Sequence, residues 1–309
     1  MPGLNSAMNP DVVRTALDDV FYQGFNGDTH PGYATASNAM CLKQDTADSS
    51  AVIWDLFKGS GEWKARDEQA DVNQSTPRVD DQKVFNVVNF ANSIDISKNF
   101  FDDNKHSVYE RSVEQFGRRA GTTQNKNAFA PYRNGFTTEL TADGASLFSA
   151  SHTNINGDTV DNLISGALTE ASLNTGIVRL MEMVSQDGEI DGFMPSFLLV
   201  PPALFKLASE ITKSELRSGT SDNDANIYST QYNIQVLTSN HLGAAAGGSD
   251  TAWFLGSNEH SVTRFVRQGV QTSLINWDLQ RNNDYIYKGE YREIAGAMTY
   301  EGIVGALGT

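Results

Sequence analysis

Amphipathic helices and strand-like runs occupy separate blocks of the 309-residue chain, which predicts an α+β fold. A compact stretch over 166–260 alternates short helices with short strands, and the residues beyond it read as antiparallel strands joined by polar turns. Residues 59–83 interrupt this order. Ten of those 25 residues are charged and only five are apolar, so the segment cannot bury enough surface to fold as its own unit.

In chain order, the first element is a helix with Asn9 as N-cap, Pro10 at the first helical position and Asp11 at the positive end of the dipole. Val13, Ala16, Leu17 and Val20 form its apolar stripe, and Gly24 is placed to stop it. Residues 24–50 read as irregular chain, an extended arm that tethers the helix to its own body or to a neighbour. Residues 51–57 and 84–97 then read as the two strands flanking the charged excursion, with Phe90, Asn92, Ile94 and Ile96 on one face of the second. A two-stranded ribbon is marginal in water, so this hairpin requires something to lie on. That points toward an assembly protein, whereas a surface loop on an ordinary domain is the plainer alternative.

The strongest helix signal follows. Ser107 to Glu110 has the form of a capping box, and Tyr109, Val113, Phe116 and Ala120 recur at spacings of 4, 3 and 4. Glu110, Arg111, Glu114, Arg118 and Arg119 fill the opposite face, and Gly121 either ends the helix or lets it continue toward Phe129. Residues 131–165 are turn-rich. Thr169 then caps a helix with Leu173, Ile177, Leu180, Met181 and Val184 inside, residues 196–200 read as a buried strand, and Pro202 opens a helix through Leu204, Leu207, Ala208 and Ile211. Further strands are expected at 232–237, 253–255, 262–266, 272–277, 285–287 and 291–297.

Composition narrows the function. With 39% hydrophobic and 20% charged residues the chain is of globular type. Its 23 basic and 38 acidic residues leave a net charge of −15, which repels phosphate and argues against a general nucleic-acid-binding surface. Cys41 is the only cysteine, so neither an internal disulfide nor a cysteine-based zinc cluster can form. No run of 18 apolar residues and no basic, apolar leader pattern occurs, and synthesis and retention in a cytoplasm are expected.

No catalytic constellation emerges. The five histidines include no pair at i, i+2 or i, i+4. His152, beside Ser149 and Ser151, reads as a histidine bonding its own loop, because sequence neighbours are not a nucleophile and base in space. Asp187-Gly-Glu189-Ile-Asp191-Gly192 copies the opening of a calcium loop, but its twelfth position is Leu198, where a bidentate carboxylate is needed; a tight turn is expected instead. Gly59-Ser-Gly61 lacks the rest of a phosphate loop. Carboxylate pairs such as Asp18-Asp19, Asp80-Asp81 and Asp102-Asp103 are read as solvated, and Arg118-Arg119 as an exposed face able to meet phosphate or a neighbour's carboxylates. Neither cofactor nor metal is expected.

The order of arm, hairpin, capped helix, α/β block and closing antiparallel strands resembles the major capsid proteins of tailed bacteriophages with the HK97-type fold, particularly the Mu-like major head subunit group. The resemblance rests on VFNVVNFANSIDISKNFFDDNKHSVYERSVEQFGRRAG (84–121), LFSASHTN (147–154), LTEASL (168–173), FLLVPPALFKLASEI (197–211) and TAWFLGS (251–257), and on their spacing. It implies an N-terminal arm at 1–50, an extended E-loop hairpin at 51–100, a P-domain with a long spine helix at 101–165, an α/β A-domain at 166–260, and return strands at 261–309 that complete both domains.

The same resemblance implies a structural protein rather than an enzyme, one that self-assembles in the bacterial host cytoplasm into pentamers and hexamers of an icosahedral shell around double-stranded DNA. Implied partners are further copies, a separate scaffolding protein, a portal and a cement protein, with packaged DNA contacted non-specifically and no membrane. Inter-subunit contacts are expected from Trp63, Lys64, Arg66, Asp67, Glu68, Arg78, Asp80 and Asp81 on the hairpin and from Arg118 and Arg119 on the helix. Some family members weld loop lysines to asparagines; Lys64 and Lys83 stand in or beside the loop, and simple exposed lysines are the alternative. A tail-tube or decoration protein, and a soluble enzyme with a site built from His152 and Asp191, are the competing readings.

Overall fold

The computed structural model describes residues 10–26, 34–38, 40–58, 63–68, 71–72, 78–97, 99, 106–154, 156–214, 226–276 and 284–308. Their elements, in order, are α1 (Pro10–Phe25), β1 (Lys43–Thr46), β2 (Ala51–Lys58), β3 (Arg78–Asn86), β4 (Val88–Ser97), α2 (His106–Ala128), α3 (Ala130–Asn134), β5 (His152–Thr153), β6 (Thr159–Val160), β7 (Leu163–Ile164), α4 (Glu170–Met181), β8 (Phe197–Val200), α5 (Phe205–Lys213), β9 (Gln235–Thr238), β10 (Trp253–Gly256), β11 (Val262–Ile275), β12 (Asp284–Ala297) and β13 (Ile303–Ala306).

One sheet has the order β1-β11-β12-β4, antiparallel except for the β1–β11 pair. One face of it is covered by α1 and α2. Val13, Leu17, Phe21, Val113 and Phe116 from the helices pack on Ile96, Tyr285 and Tyr287 from the strands, at about 1.5–3 kcal/mol for each large side chain withdrawn from water. Asp18 of α1 accepts hydrogen bonds from the hydroxyls of Thr272 and Tyr287, both at 2.6 Å, fixing the helix across the sheet.

The two helices meet backbone to backbone. A Cβ added at Gly24 would lie 2.1 Å from the Glu114 carbonyl oxygen, and one at Gly117 would lie 2.1 Å from that of Phe21. Gly24 therefore does not stop α1; it sits inside the helix as a contact that no larger residue could make. Gly121 likewise lies within α2, which runs on to Ala128. That helix begins at His106, so Ser107 is in its first turn rather than its cap. Asn9 lies outside the described residues.

The second sheet has the order β7-β13-β10-β8-β9. Every residue of β8, β10 and β13 is buried, which is why FLLV, WFLG and IVGA read as continuous apolar runs without alternation. On one face α4 and α5 contribute Leu173, Ile177, Leu180 and Ala208 to a core around Trp253 and Leu255. The other face packs Leu199 and Phe254 against Phe129, Tyr132, Phe148 and the arm residues Ala34, Ala36, Cys41 and Leu42. Thr169 caps α4 as expected, in a reciprocal pair with Ser172.

Several strand expectations need correction. Residues 84–97 are not one strand of the hairpin: the chain breaks at Val87, so that only β3 pairs with β2, while β4 pairs along its length with β12. The separate strands expected at 262–266 and 272–277 are one, β11, whose register shifts between Val266 and Gln271 hide its continuity; 285–287 and 291–297 likewise join in β12. The arm holds a strand the sequence concealed, since β1, KQDT, has no apolar residue and pairs through its backbone alone.

Candidate assembly interface

The hairpin has two faces. Val52, Trp54 and Leu56 alternate toward the body, with Phe85 and Lys83 opposite the first two. Trp54 and Phe85 lie against Phe265 of β11, with ring centroids 5.8 and 5.1 Å away. Lys83 donates to Glu139 Oε1 at 2.8 Å, to the Ala297 carbonyl at 2.7 Å and to the Leu140 carbonyl, and its ammonium stands 4.7 Å from the Phe85 ring centroid. Lys83 is thus an internal clamp for the base of the hairpin, and the alternative of a freely exposed lysine fails for it. Four partners around one ammonium leave no donor unused.

The opposite face points outward. Ile53 and Val84 are directly paired across the strands and are 59% and 47% exposed, and Val79 is 53% exposed. Asp55 accepts from Gln82 beside them at 2.7 Å. The register shift between Leu56 and Phe57 leaves Asp80 as an extra residue, a bulge that bends the ribbon beyond its base. Beyond β2, Trp63 is 95% exposed, and Lys64, Arg66, Asp67 and Glu68 are exposed with it. Apolar side chains exposed in a row on a ribbon are costly unless another surface covers them.

The ten expected contact residues form two groups. Arg78, Asp80 and Asp81 are placed in β3 by their backbone, opposite Lys58 and Leu56 in the case of Arg78 and Asp81; their side chains lie outside the described residues. Arg118 and Arg119 lie on α2. The first pairs with Glu114 at 3.0 Å on the exposed face, and the second makes no ion pair among the described residues. No hydrogen bond or ion pair joins the hairpin group to the helix group among the described residues. The apolar row Ile53, Val79 and Val84 was missed in the sequence, although its signal was present: alternation with Trp54 and Phe85 marks two apolar faces, one more than the body covers.

The other candidates are structural. His152 is fully buried, with Nδ1 2.8 Å from Asp143 Oδ2 and its ring stacked on Tyr300 at 4.6 Å. Ser149 and Ser151 bond each other at 3.3 Å instead of the imidazole. Burial alone would raise the Asp143 carboxyl, but hydrogen bonds from His152 and Thr141, the His152 charge and the Ala145 amide hold it at about 2. No hydrogen bond or ion pair brings Asp191 to His152 among the described residues. The segment 187–192 is a tight turn closed by a Val184–Ile190 bridge, with Gly188 and Gly192 at φ of 85° and 62°. Leu198, the twelfth position of the supposed calcium loop, is buried in β8. Among the described residues no group of three or more His, Cys, Asp or Glu is placed to hold a metal, and no helix is long and apolar enough to cross a membrane.

A buried pair ties the arm to the sheet. Arg264 donates to Glu293 at 2.5 and 2.8 Å and to the Ala36 carbonyl at 3.2 Å, while the Ala36 amide donates to Asn125 of α2 at 2.7 Å. His260, wholly buried, donates through Nε2 to the Met40 carbonyl at 3.0 Å and accepts the Val262 amide at Nδ1 at 3.1 Å. Burial holds its imidazole down at about 4, with the Met40 bond opposing and the Lys43 charge assisting that fall.

An arm bonded to its own body and a ribbon with exposed apolar side chains are features of a subunit that associates with others. The chain belongs to the phage capsid protein family, whose model matches residues 79–306. Its fold is the HK97-like fold of solved capsids. It is similar to the capsid protein of Cyanophage P-SCSP1u (13% identity, TM-score 0.58, covering 90% of this chain and 89% of that one). It is similar also to a Microbacterium phage Oxtober96 chain (12%, TM-score 0.54, 90% and 92%) and to a virus-like particle from Pyrococcus furiosus (12%, TM-score 0.54, 94% and 98%). No curated protein sequence matches it. As a phage capsid protein it is a component of the virion.

Proposed function

We propose that this chain builds both the pentamers and the hexamers of an icosahedral head around double-stranded DNA, each hairpin lying across the next subunit. The single observation that carries this reading is the outward row Ile53, Val79 and Val84 with Trp63 beyond it, apolar surface on a ribbon too slender to stand alone. Residues 1–50 act as the N-terminal arm, 51–100 as the E-loop, 101–165 as the P-domain around α2, 166–260 as the A-domain, and 261–309 as the return strands. The participation of β13 and β7 in the same sheet as β8, β9 and β10 supports a second domain that the C-terminal strands complete.

Assembly is a matter of shape and needs no catalysis. One interface repeated in two ring sizes must tolerate different angles, and a ribbon whose contacts with the body, among the described residues, lie at its base through Lys83, Trp54 and Phe85 can swing where a fully docked element cannot. The net charge of −15 suits a wall that meets packaged DNA without adhering to it. Membership of the Mu-like head subunit group, and dependence on a separate scaffolding protein, a portal and a cement protein, extend the same reading. Electron microscopy of the purified protein tests it: shells or rings of five and six are expected, and a protein that stays monomeric at every concentration overturns it.

A further inference from the structure

A groove opens where α2 meets β4 and β12. Its walls are two aromatic pairs, Phe90 with Tyr291 (centroids 5.0 Å apart) and Phe21 with Phe116 (5.6 Å), and Ala120 and Arg119 form its rim. The cavity holds about 340 Å³. Its floor is Gly289, where a Cβ would stand only 3.3 Å from the Phe116 ring, so any larger residue would begin to fill it. Such a site takes a flat aromatic group, which gains both apolar burial and edge or face contacts with the walls.

Resting on the reading that hairpins overlap neighbours, we propose that this groove receives Trp63 of a second copy, with Arg119 meeting Asp67 or Glu68 of the same incoming segment. Trp63 is 95% exposed, the most of any large apolar residue among the described residues, so it does not fill the groove of its own subunit. Arg119 is a rim cation without an ion pair among the described residues, and the carboxylates of Asp67 and Glu68 follow Trp63 on the same exposed segment. Arg119 faces those carboxylates, the groove's own carboxylate, Glu290, is already paired with Lys288 at 2.5 Å, and a guanidinium beside an indole adds a cation–π attraction. Each copy offers one tryptophan and one groove at different places, the head-to-tail arrangement that closes rings. The two groups of predicted contact residues, apart within one subunit, become one interface between two.

The test is a disulfide trap. Cys41 is wholly buried, so in Lys64→Cys/Thr123→Cys, which keeps the Trp63 anchor, the introduced pair at the groove rim oxidises without competition. Mild oxidation of assembled particles should give a ladder of linked chains on a non-reducing gel, absent from either single variant. Particles that form without a ladder overturn this inference and leave the shell reading standing, whereas a wild-type chain that never assembles overturns that reading first. Should the double variant fail to assemble, Trp63→Phe and Trp63→Ala decide. Assembly is expected to persist in Trp63→Phe and to require at least about tenfold more protein in Trp63→Ala, the loss typical of an interface anchor; an unchanged requirement in Trp63→Ala overturns the inference.

Discussion

Two buried histidines show how far single residues could be read from sequence. His152 was expected to bond its own loop and does, through Asp143, but its complete burial and its stacking on Tyr300 come from β13 and the chain just before it, more than a hundred residues away, which no local pattern displays. His260 carried no signal at all, because both its partners are backbone groups. It makes a definite prediction. The folded imidazole titrates at about 4 instead of 6.5, so its contribution to stability is complete above pH 6.5 and is lost as pH falls toward 4, while the unfolded chain takes up the proton first. At about 1.4 kcal/mol per pKa unit the limb amounts to roughly 3 kcal/mol. Asp143, held at about 2, adds a later loss between pH 3.8 and 2. Glu301 opposes the first limb: burial and the charges of Asp191 and Asp187 raise it, so folding gains as pH falls through the raised value toward the ordinary one. Thermal unfolding across pH 7 to 4 should show a shallower fall in His260→Gln than in the wild type, and identical slopes would refute the assignment.

At the level of elements, helices with one apolar stripe were legible and strands with unusual exposure were not. Val113 and Phe116 gave α2 its period, and Thr169 gave α4 its start. The joining of β11 across 267–271 was hidden by its register shifts, and β1 by its polarity. The glycines misled for a physical reason. Gly24 and Gly121 have the residue type that ends helices, yet here a glycine serves the crossing of α1 over α2, where the missing Cβ lets backbones touch. Gly117→Ala is accordingly expected to destabilise the protein by about 1–3 kcal/mol through overpacking against Phe21, despite a helix-propensity gain of up to about 1 kcal/mol. Denaturant unfolding measures this, and equal or greater stability would show that the two helices can separate freely.

For the whole molecule, the informative feature was a segment that could not fold by itself. The charge density of 59–83 announced a ribbon in search of a surface, and the family resemblance gave that ribbon a use; neither revealed which of its faces was committed internally. That division required three dimensions, because Lys83 reaches Glu139, Leu140 and Ala297 only after β12 and the turn before β5 are in place. Ile53, Val79, Val84 and Trp63 then remain as exposed apolar surface on the ribbon. Removing residues 62–82 tests this most directly, since no described residue among them belongs to the cores around Phe21, Trp253, Phe254 and Phe265. Size-exclusion chromatography with electron microscopy should find the shortened chain folded and soluble but unable to form shells; normal particles from it would contradict the claim that the ribbon joins one subunit to the next.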